Sequence, residues 1–267
     1  MKKMSISVVR KVLRDQRRSL FWWSIGIAAL ALYTMLFYPS IASSPELDQI
    51  MRELPPALKA MFGEMSLTSP EGYINTELFS FMMPLLFLIF TILQGGAAVA
   101  GEEEQGTLDL VLSTPITRRR FVLEKFVAML MSTLFLAVIL WVSTVAGIAI
   151  ADFEVNLSRL AEAIFSVFLL AMAFGTLALA LGCATGGRAL STGVSSALAV
   201  IAYFLNSMAP LAESVEPFQK LSLFYYYYEV DPLRHGLDLG HVGVLLAVTV
   251  VLLLIGVMTV GKRDLQV

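Results

Sequence analysis

The sequence predicts an all-α polytopic membrane protein. Of its 267 residues, 57% are hydrophobic and 15% are charged, and the mean hydropathy is +0.77. Six apolar runs reach the length of about 20 residues that crosses roughly 30 Å of hydrocarbon as a helix. No linker divides them, so residues 1–267 are expected to form a single transmembrane domain. The runs lie near residues 20–38, 79–100, 126–150, 161–184, 189–210 and 241–260.

The basic residues predict the orientation. Most of the 19 Lys and Arg residues lie in residues 1–18, in residues 118–125 and in the tail after residue 261. Because such residues are retained on the cytoplasmic side, we expect both termini and the connection between the second and third runs to be cytoplasmic. The first run is not expected to be a cleaved signal peptide, since it is long and aromatic and lacks a small-x-small site.

Residues 1–18 precede the first run and are predicted to form an amphipathic interfacial helix on the inner leaflet. Four apolar residues recur there at helical spacing among basic ones: Val8, Val9, Val12 and Leu13. This pattern is typical of a helix that lies in the membrane surface. A disordered basic flank that only sets the topology is the alternative.

Two long connections lie on the predicted outer side. In residues 39–77, Ser44 and Pro45 resemble a helix start and Pro55 and Pro56 resemble a helix end, so a small helical loop is expected that binds a substrate or shields the spans. Residues 212–240 are more apolar than a solvated loop needs and are predicted to form short re-entrant helices. Their aromatic run is interpreted as an interfacial belt or as a gate, and it comprises Phe224, Tyr225, Tyr226, Tyr227 and Tyr228.

Small residues recur on helix faces within the runs. Ala171, Gly175 and Gly182 share one face of the fourth run, and Gly96 lies on the same face as Ala100 in the second. Small residues at this spacing let two helices approach closely. Packing within the chain is favoured over a dedicated dimer seam.

Several functions are disfavoured by the residues that the chain has. Residues 256–263 approach a phosphate-loop motif, but Arg263 replaces the Ser or Thr that would bind magnesium, and the motif ends an apolar run. Only His235 and His241 are available as imidazoles, and no GxSxG or HExxH sequence occurs, so an enzyme is not expected. The single cysteine, Cys183, forms no internal disulfide. The chain is therefore predicted to bind no cofactor or metal.

The stretch GEEEQGTLDLVLSTPITRRR, segment 101–120, separates the second and third runs. Leu108, Val111 and Leu112 form an apolar patch at helical spacing, between three glutamates and three arginines. Ser113, Thr114 and Pro115 are expected to break the first helix and begin the next. The pattern predicts a helical elbow that fits a groove of a soluble partner; an ordinary charged turn that fixes topology is the alternative.

This segment resembles the G-E-E-x-x-G-T-L-[ED]-L…P-[IV]-x-R-R signature of type-2 ABC export permeases. The likeness extends over nearly the whole chain, including residues 77–81, 224–227, 231–233 and 262–265. Asp109 is a departure, since glutamate is commoner there, but the charge is kept. The resemblance implies six spans, a coupling helix between spans 2 and 3, and re-entrant helices before span 6.

The resemblance also implies the partners. Two ABC ATPase subunits would bind ATP and Mg²⁺, and a second permease subunit, identical or paralogous, would complete the path in the plasma membrane of a prokaryote. The implied ATPase-docking residues are Glu102, Glu103, Glu104, Gly106, Thr107, Leu108, Asp109, Leu110, Val111, Leu112, Pro115, Arg118, Arg119 and Arg120. The glutamates would face basic groups of the ATPase, and the arginines would face its acidic rim or lipid phosphates.

The predicted function is therefore ATP-driven export of a substrate such as a hydrophobic drug, a lipid or a peptide. An ion-coupled carrier is disfavoured, because the apolar runs contain no Asp, Glu, Lys or Arg away from their edges. A membrane scaffold or sensor that binds a soluble protein without transport remains the other alternative.

Overall fold

The computed structural model describes residues 8–44, 53, 55, 69–106, 117–209, 216–228 and 231–262. Six helices in these ranges are long and apolar enough to cross a membrane, which confirms the predicted class. No strand occurs among the described residues. The helices, numbered here as spans 1 to 6, are Arg17–Ala42, Pro70–Ala98, Arg118–Ala151, Leu157–Thr185, Arg188–Met208 and Leu239–Gly261.

Shorter helices flank the spans. The N-terminal helix is Val8–Asp15, and the linker helix, Ala100–Glu104, follows span 2 after an irregular residue at Val99. Before span 6 the chain forms a 3-10 helix, Glu216–Leu221, then the aromatic helix, Leu223–Tyr228, then one π-helical turn, Asp231–His235. Short helices were predicted in this region.

Residues from both ends of the chain meet at one face of the bundle, called here the N-terminal face. Val8, Val99, Phe121 and Val260 belong to one buried apolar cluster there. This cluster joins the N-terminal helix to the end of span 2, the start of span 3 and the end of span 6. The aromatic helix lies at the opposite face.

Span 4 forms the centre of the bundle. Of its most apolar 18 residues, 83% are buried, against 17% in each of spans 5 and 6. Its contact with span 2 is close, since a Cβ added to Gly95 would lie 2.0 Å from the Gly175 carbonyl oxygen. Such a distance excludes any side chain at Gly95 without separation of the helices.

Span 2 begins earlier than the sequence suggested. Its helix begins at Pro70, inside the predicted outer loop of residues 39–77, because Ser69 Oγ accepts a hydrogen bond from Gly72 N at 3.2 Å and proline fits the first helical turn. One π-helical turn, Asn75–Phe79, follows. Span 1 also extends past Pro39 to Ala42. The helix predicted to begin at Pro45 lies outside the described residues.

The N-terminal helix is amphipathic, as predicted, but its apolar face contacts protein. Val8 is buried, and Val12 packs on the same cluster at the ends of the spans. Arg10, Lys11 and Arg14 remain exposed. The helix therefore rests on the chain's own spans through residues that were expected to enter the leaflet.

Candidate functional site

Segment 101–120 is described at its two ends. The described residues among the predicted docking residues are Glu102, Glu103, Glu104, Gly106, Arg118, Arg119 and Arg120. The others lie outside the described residues, and they are Thr107, Leu108, Asp109, Leu110, Val111, Leu112 and Pro115. The apolar patch of the predicted elbow is thus still a prediction.

Local sequence determines where the linker helix ends and where span 3 begins. Gly106 has φ +63°, a conformation that glycine adopts without the steric cost of a Cβ, and it follows the linker helix. Thr117 begins span 3, since its Oγ1 accepts a hydrogen bond from Arg120 N at 3.3 Å. The chain therefore leaves span 2 and enters span 3 through two defined helix ends at the N-terminal face.

Glu102 connects the linker helix to span 3. Its Oε1 lies 2.6 Å from Lys125 Nζ, and the Lys125 side chain is only 8% exposed. The ammonium also lies 5.3 Å from the ring centroid of Phe121. A charge this far removed from water needs a paired carboxylate, so Glu102 and Lys125 stabilise each other.

Glu104 connects the same helix to span 5. Its Oε1 accepts a hydrogen bond from Arg188 N at 2.9 Å, and Arg188 is the first residue of span 5. Gly187, before it, offers no side-chain cap. The carboxylate therefore satisfies one of the free N–H groups at this helix start and interacts favourably with the positive end of the helix dipole.

Glu124 connects span 3 to the N-terminal helix. Its Oε2 accepts a hydrogen bond from Val8 N at 2.6 Å, and its Oε1 binds Arg120 Nε at 2.9 Å. Three carboxylates thus link four elements at the N-terminal face: the N-terminal helix, the linker helix, span 3 and span 5.

These contacts differ from the surroundings expected for the glutamates. The resemblance implied that Glu102 and Glu104 face basic groups of a partner, which stays a prediction; in the structure their carboxylates bind Lys125 Nζ and Arg188 N of this chain. Sequence reasoning missed Lys125, Glu124 and Arg188 as members of the site. The available signal was a lysine and a glutamate at the edge of a long apolar run, where charged side chains need partners.

An apolar groove of about 280 Å³ lies between spans 2 and 5. Among the described residues that line it there is no Asp, Glu, Lys or Arg. The residues are Phe81, Pro84, Leu85, Leu88, Ile89 and Ile92 of span 2, Ser196, Ala199, Val200, Tyr203 and Phe204 of span 5, and Phe224 of the aromatic helix. A groove of this composition suits apolar groups.

The five residues of the predicted belt or gate have different surroundings in the aromatic helix. Phe224 lines the groove and its ring centroid lies 5.4 Å from that of Tyr203. Tyr225 and Tyr226 are partly exposed, and their rings contact His241. Tyr227 and Tyr228 point into the bundle.

Tyr227 and Tyr228 anchor this helix to span 2. Tyr227 donates a hydrogen bond to the Phe79 carbonyl oxygen at 2.6 Å, and the Tyr228 hydroxyl lies 3.2 Å from Ser80 Oγ. Burial raises the pKa of both phenols, that of Tyr227 well above its ordinary value, so both remain neutral.

The predicted small-residue positions lie at helix contacts within the chain. A Cβ on Gly96 would lie 2.4 Å from Thr192 Cγ2 of span 5, and one on Gly175 would lie 2.7 Å from Thr91 Cβ of span 2. Gly182 faces the Gly96 carbonyl oxygen at 3.6 Å, measured from an added Cβ, and Ala171 is buried. Gly95, which the sequence analysis did not select, makes the closest of these approaches.

The described helices and the groove define a multi-pass membrane protein whose connections, at one face, are tied together by carboxylates. A family model described as ABC-2 family transporter protein matches residues 6–265. The chain belongs to this family, which confirms the resemblance and implies a permease of an ABC transporter. Membrane proteins of the family generally pair with an ATPase subunit and are generally not catalytic themselves. A search of curated proteins found no match.

Proposed function

We propose that this chain is the permease subunit of an ATP-driven exporter in the plasma membrane of a prokaryote. Two ATPase subunits dock at segment 101–120, which faces the cytoplasm together with both termini. A second permease subunit, identical or paralogous, completes the path. The family membership, across residues 6–265, is the observation that carries the proposal.

ATP acts on the permease through the elbow. ATP binding closes the two ATPase subunits, moves the two elbows towards each other, and switches the path between the helix bundles. The described ends of segment 101–120 support this role, because the linker helix follows span 2 after a single residue, Val99, and residues 118–120 form the first turn of span 3. Movement of the elbow is therefore passed to spans 2 and 3.

The groove between spans 2 and 5 favours an apolar substrate. Its lining is aliphatic and aromatic, with Ser196 and the Tyr203 hydroxyl as polar groups. A hydrophobic drug, a lipid or an apolar peptide matches this composition better than a charged solute does. Within the described spans, acidic and basic residues lie towards the helix ends, which supports a transport cycle driven by ATP rather than by ions.

A double variant at the elbow tests the docking site. Glu103→Arg with Leu108→Asp reverses one charge and places a carboxylate in the predicted apolar patch, so we expect it to abolish ATPase association while membrane insertion continues. The control makes the same two changes at the opposite face, Glu154→Arg with Leu221→Asp, where both residues are exposed. Association is measured by co-purification, and an elbow variant that retains the ATPase at control level would refute this docking site.

A further inference from the structure

The bond between Glu104 and span 5 suggests a second route from the elbow into the membrane. Glu104 belongs to the linker helix, immediately before the part of segment 101–120 that is predicted to dock. Its carboxylate binds Arg188 N, the first amide of span 5, across 84 positions of sequence. Any displacement of the linker helix therefore acts directly on the start of span 5.

Span 5 makes few buried contacts within the chain. Its own buried residues are few, namely Ser191, Ser195, Ala199 and Ser207. The other wall of the groove, span 2, is much more firmly packed, with 61% of its most apolar window buried. Because buried contacts set the cost of a displacement, span 5 shifts more easily than span 2.

Span 5 makes a close contact with span 2 at a point between Arg188 and the groove. Span 5 touches span 2 where Thr192 meets Gly96, at 2.4 Å from the position of an added Cβ. Arg188 precedes this contact by one helical turn and Ser196, the first groove residue of span 5, follows it by one. The two residues are about 12 Å apart along the helix axis.

The linker helix is itself fixed to span 3. The Glu102–Lys125 pair holds it at 2.6 Å, so the linker helix follows the start of span 3 when that start moves. Glu102 and Glu104 lie two residues apart and point to different spans. Together they join spans 3 and 5 through the last three residues of the linker helix.

We propose that Glu104, with Glu102, is a positioning residue that ties span 5 to the coupling movement. Displacement of the elbow pulls the start of span 5, tilts the span about its contact with Gly96, and changes the width of the groove beyond it. This inference rests on the proposed function, since it requires that an ATPase moves the elbow. It assigns the two glutamates to contacts within the chain instead of to the surface of the partner.

Glutamine and alanine at position 104 separate the two roles. Glu104→Gln keeps a carbonyl oxygen that accepts the Arg188 N–H but loses the charge that a basic partner surface would need. Glu104→Ala loses both. If Glu104 ties span 5, glutamine keeps the hydrogen bond and stays closer to the wild type than alanine does; if Glu104 binds the partner by charge, both variants fail alike.

The first readout is hydrogen exchange over residues 187–195 of the purified chain in lipid nanodiscs. Glu104→Ala should speed exchange about fivefold, the factor that corresponds to the ~1 kcal/mol of a helix cap, and Glu104→Gln, which loses only the interaction of the charge with the helix dipole, should have a smaller effect. Equal exchange in all three proteins would overturn the inference.

The second readout is cross-linking across the groove in the complex that co-purifies with the ATPase. Cysteines replace Ile89 and Ser196 in a Cys183→Ala background, and a bifunctional thiol reagent reports the cross-linking rate with and without ATP and Mg²⁺. We expect a nucleotide-dependent rate in the parent and with Glu104→Gln, and at least a fivefold smaller change with Glu104→Ala. An undiminished response with Glu104→Ala, or a parent complex that binds ATPase but shows no response, would overturn the inference. A chain that binds no ATPase would instead overturn the proposed function on which it rests.

Discussion

Spans 4 and 5 are joined by two residues, Gly186 and Gly187, yet they differ in almost every physical respect. Span 4 is 83% buried in its most apolar window and meets span 2 backbone against backbone at Gly175. Span 5 is 17% buried in the same measure. Polar contacts join it to other elements, from Glu104 to Arg188 at its start and from Ser222 to Ala202 in its second half. The difference indicates a closely packed core beside a wall of the groove that few buried contacts within the chain hold in place.

The largest effect is expected from a substitution that disrupts the contact between spans 2 and 4. Gly95→Leu places a side chain where even a Cβ would lie 2.0 Å from the Gly175 carbonyl oxygen, so spans 2 and 4 must separate and we expect loss of folded protein. Gly193→Leu on span 5 is the matched control, because a Cβ there meets none of the described residues within 4 Å. The measurement is the yield and monodispersity of each variant in detergent. Equal yields from both variants would show that span 4 is not the closely packed core.

The next largest effect is expected at the linker helix, which supports the start of span 5 and is itself paired with span 3 through Glu102 and Lys125. Lys125→Met leaves Glu102 beside an apolar side chain at the base of the linker helix, and we expect a loss of about 3 kcal/mol, seen as a lower Tm. The double variant Glu102→Gln with Lys125→Met removes both charges and should recover much of this loss. A double variant as unstable as the single one would show that the pair is not what stabilises the linker helix.

A smaller effect is expected at the opposite face, where the aromatic helix is fixed to span 2. Tyr227→Phe removes the hydrogen bond to the Phe79 carbonyl oxygen and should cost about 1 kcal/mol. Tyr225→Phe is the control, since the Tyr225 ring is partly exposed. Thermal unfolding measures both variants, and an equal Tm would mean that the buried phenol contributes nothing to this anchor.

The smallest effect concerns pH at the same face. Burial raises the pKa of Asp231 above its ordinary value of 3.8. The positive charge of Arg234, whose Nε lies 3.8 Å from Asp231 Oδ2, lowers the pKa but does not outweigh burial. The folded chain therefore binds this proton more tightly than the unfolded chain. The contribution of Asp231 to stability increases as pH falls from neutral through the raised pKa towards 3.8, and Asp231→Asn should abolish that increase.

The contribution of Asp238 to stability is expected to have the opposite pH dependence. A hydrogen bond from His241 N lowers the pKa of Asp238, so its contribution is present above 3.8 and is lost as pH falls through the lowered value. Tm is measured between pH 7 and pH 3 for Asp231→Asn, Asp238→Asn and the parent. A parent-like pH profile in Asp231→Asn would contradict the assigned role of that carboxyl.

The sequence predicted the parts of the fold that depend on local pattern. All six spans follow from runs of apolar residues, and the N-terminal helix follows from the periodicity of Val8 and Val12. The early start of span 2 was missed, because the cap formed by Ser69 and Pro70 lies in a polar stretch and is followed by the π-helical turn at Asn75–Phe79.

The candidate site was predictable only in part, since its contacts join residues far apart in the chain. The sequence singled out Glu102 and Glu104, but their partners Lys125 and Arg188 are selected by how the helices pack. Gly96 lies at a helix contact, as predicted, but the sequence did not show that its neighbour Gly95 makes a closer one. Either glycine fits a small-residue pattern, and only the packed structure shows that Gly95 meets span 4 and Gly96 meets span 5.

The most direct test of the central claim is to extract the protein gently from its native membrane and identify by mass spectrometry what co-purifies in stoichiometric amount. The account predicts a soluble subunit with a phosphate loop, together with a second permease chain that is either identical or a paralogue. Recovery of the folded protein alone, or with a soluble protein that has no ATPase motif, would contradict the account and favour a scaffold or an ion-coupled carrier.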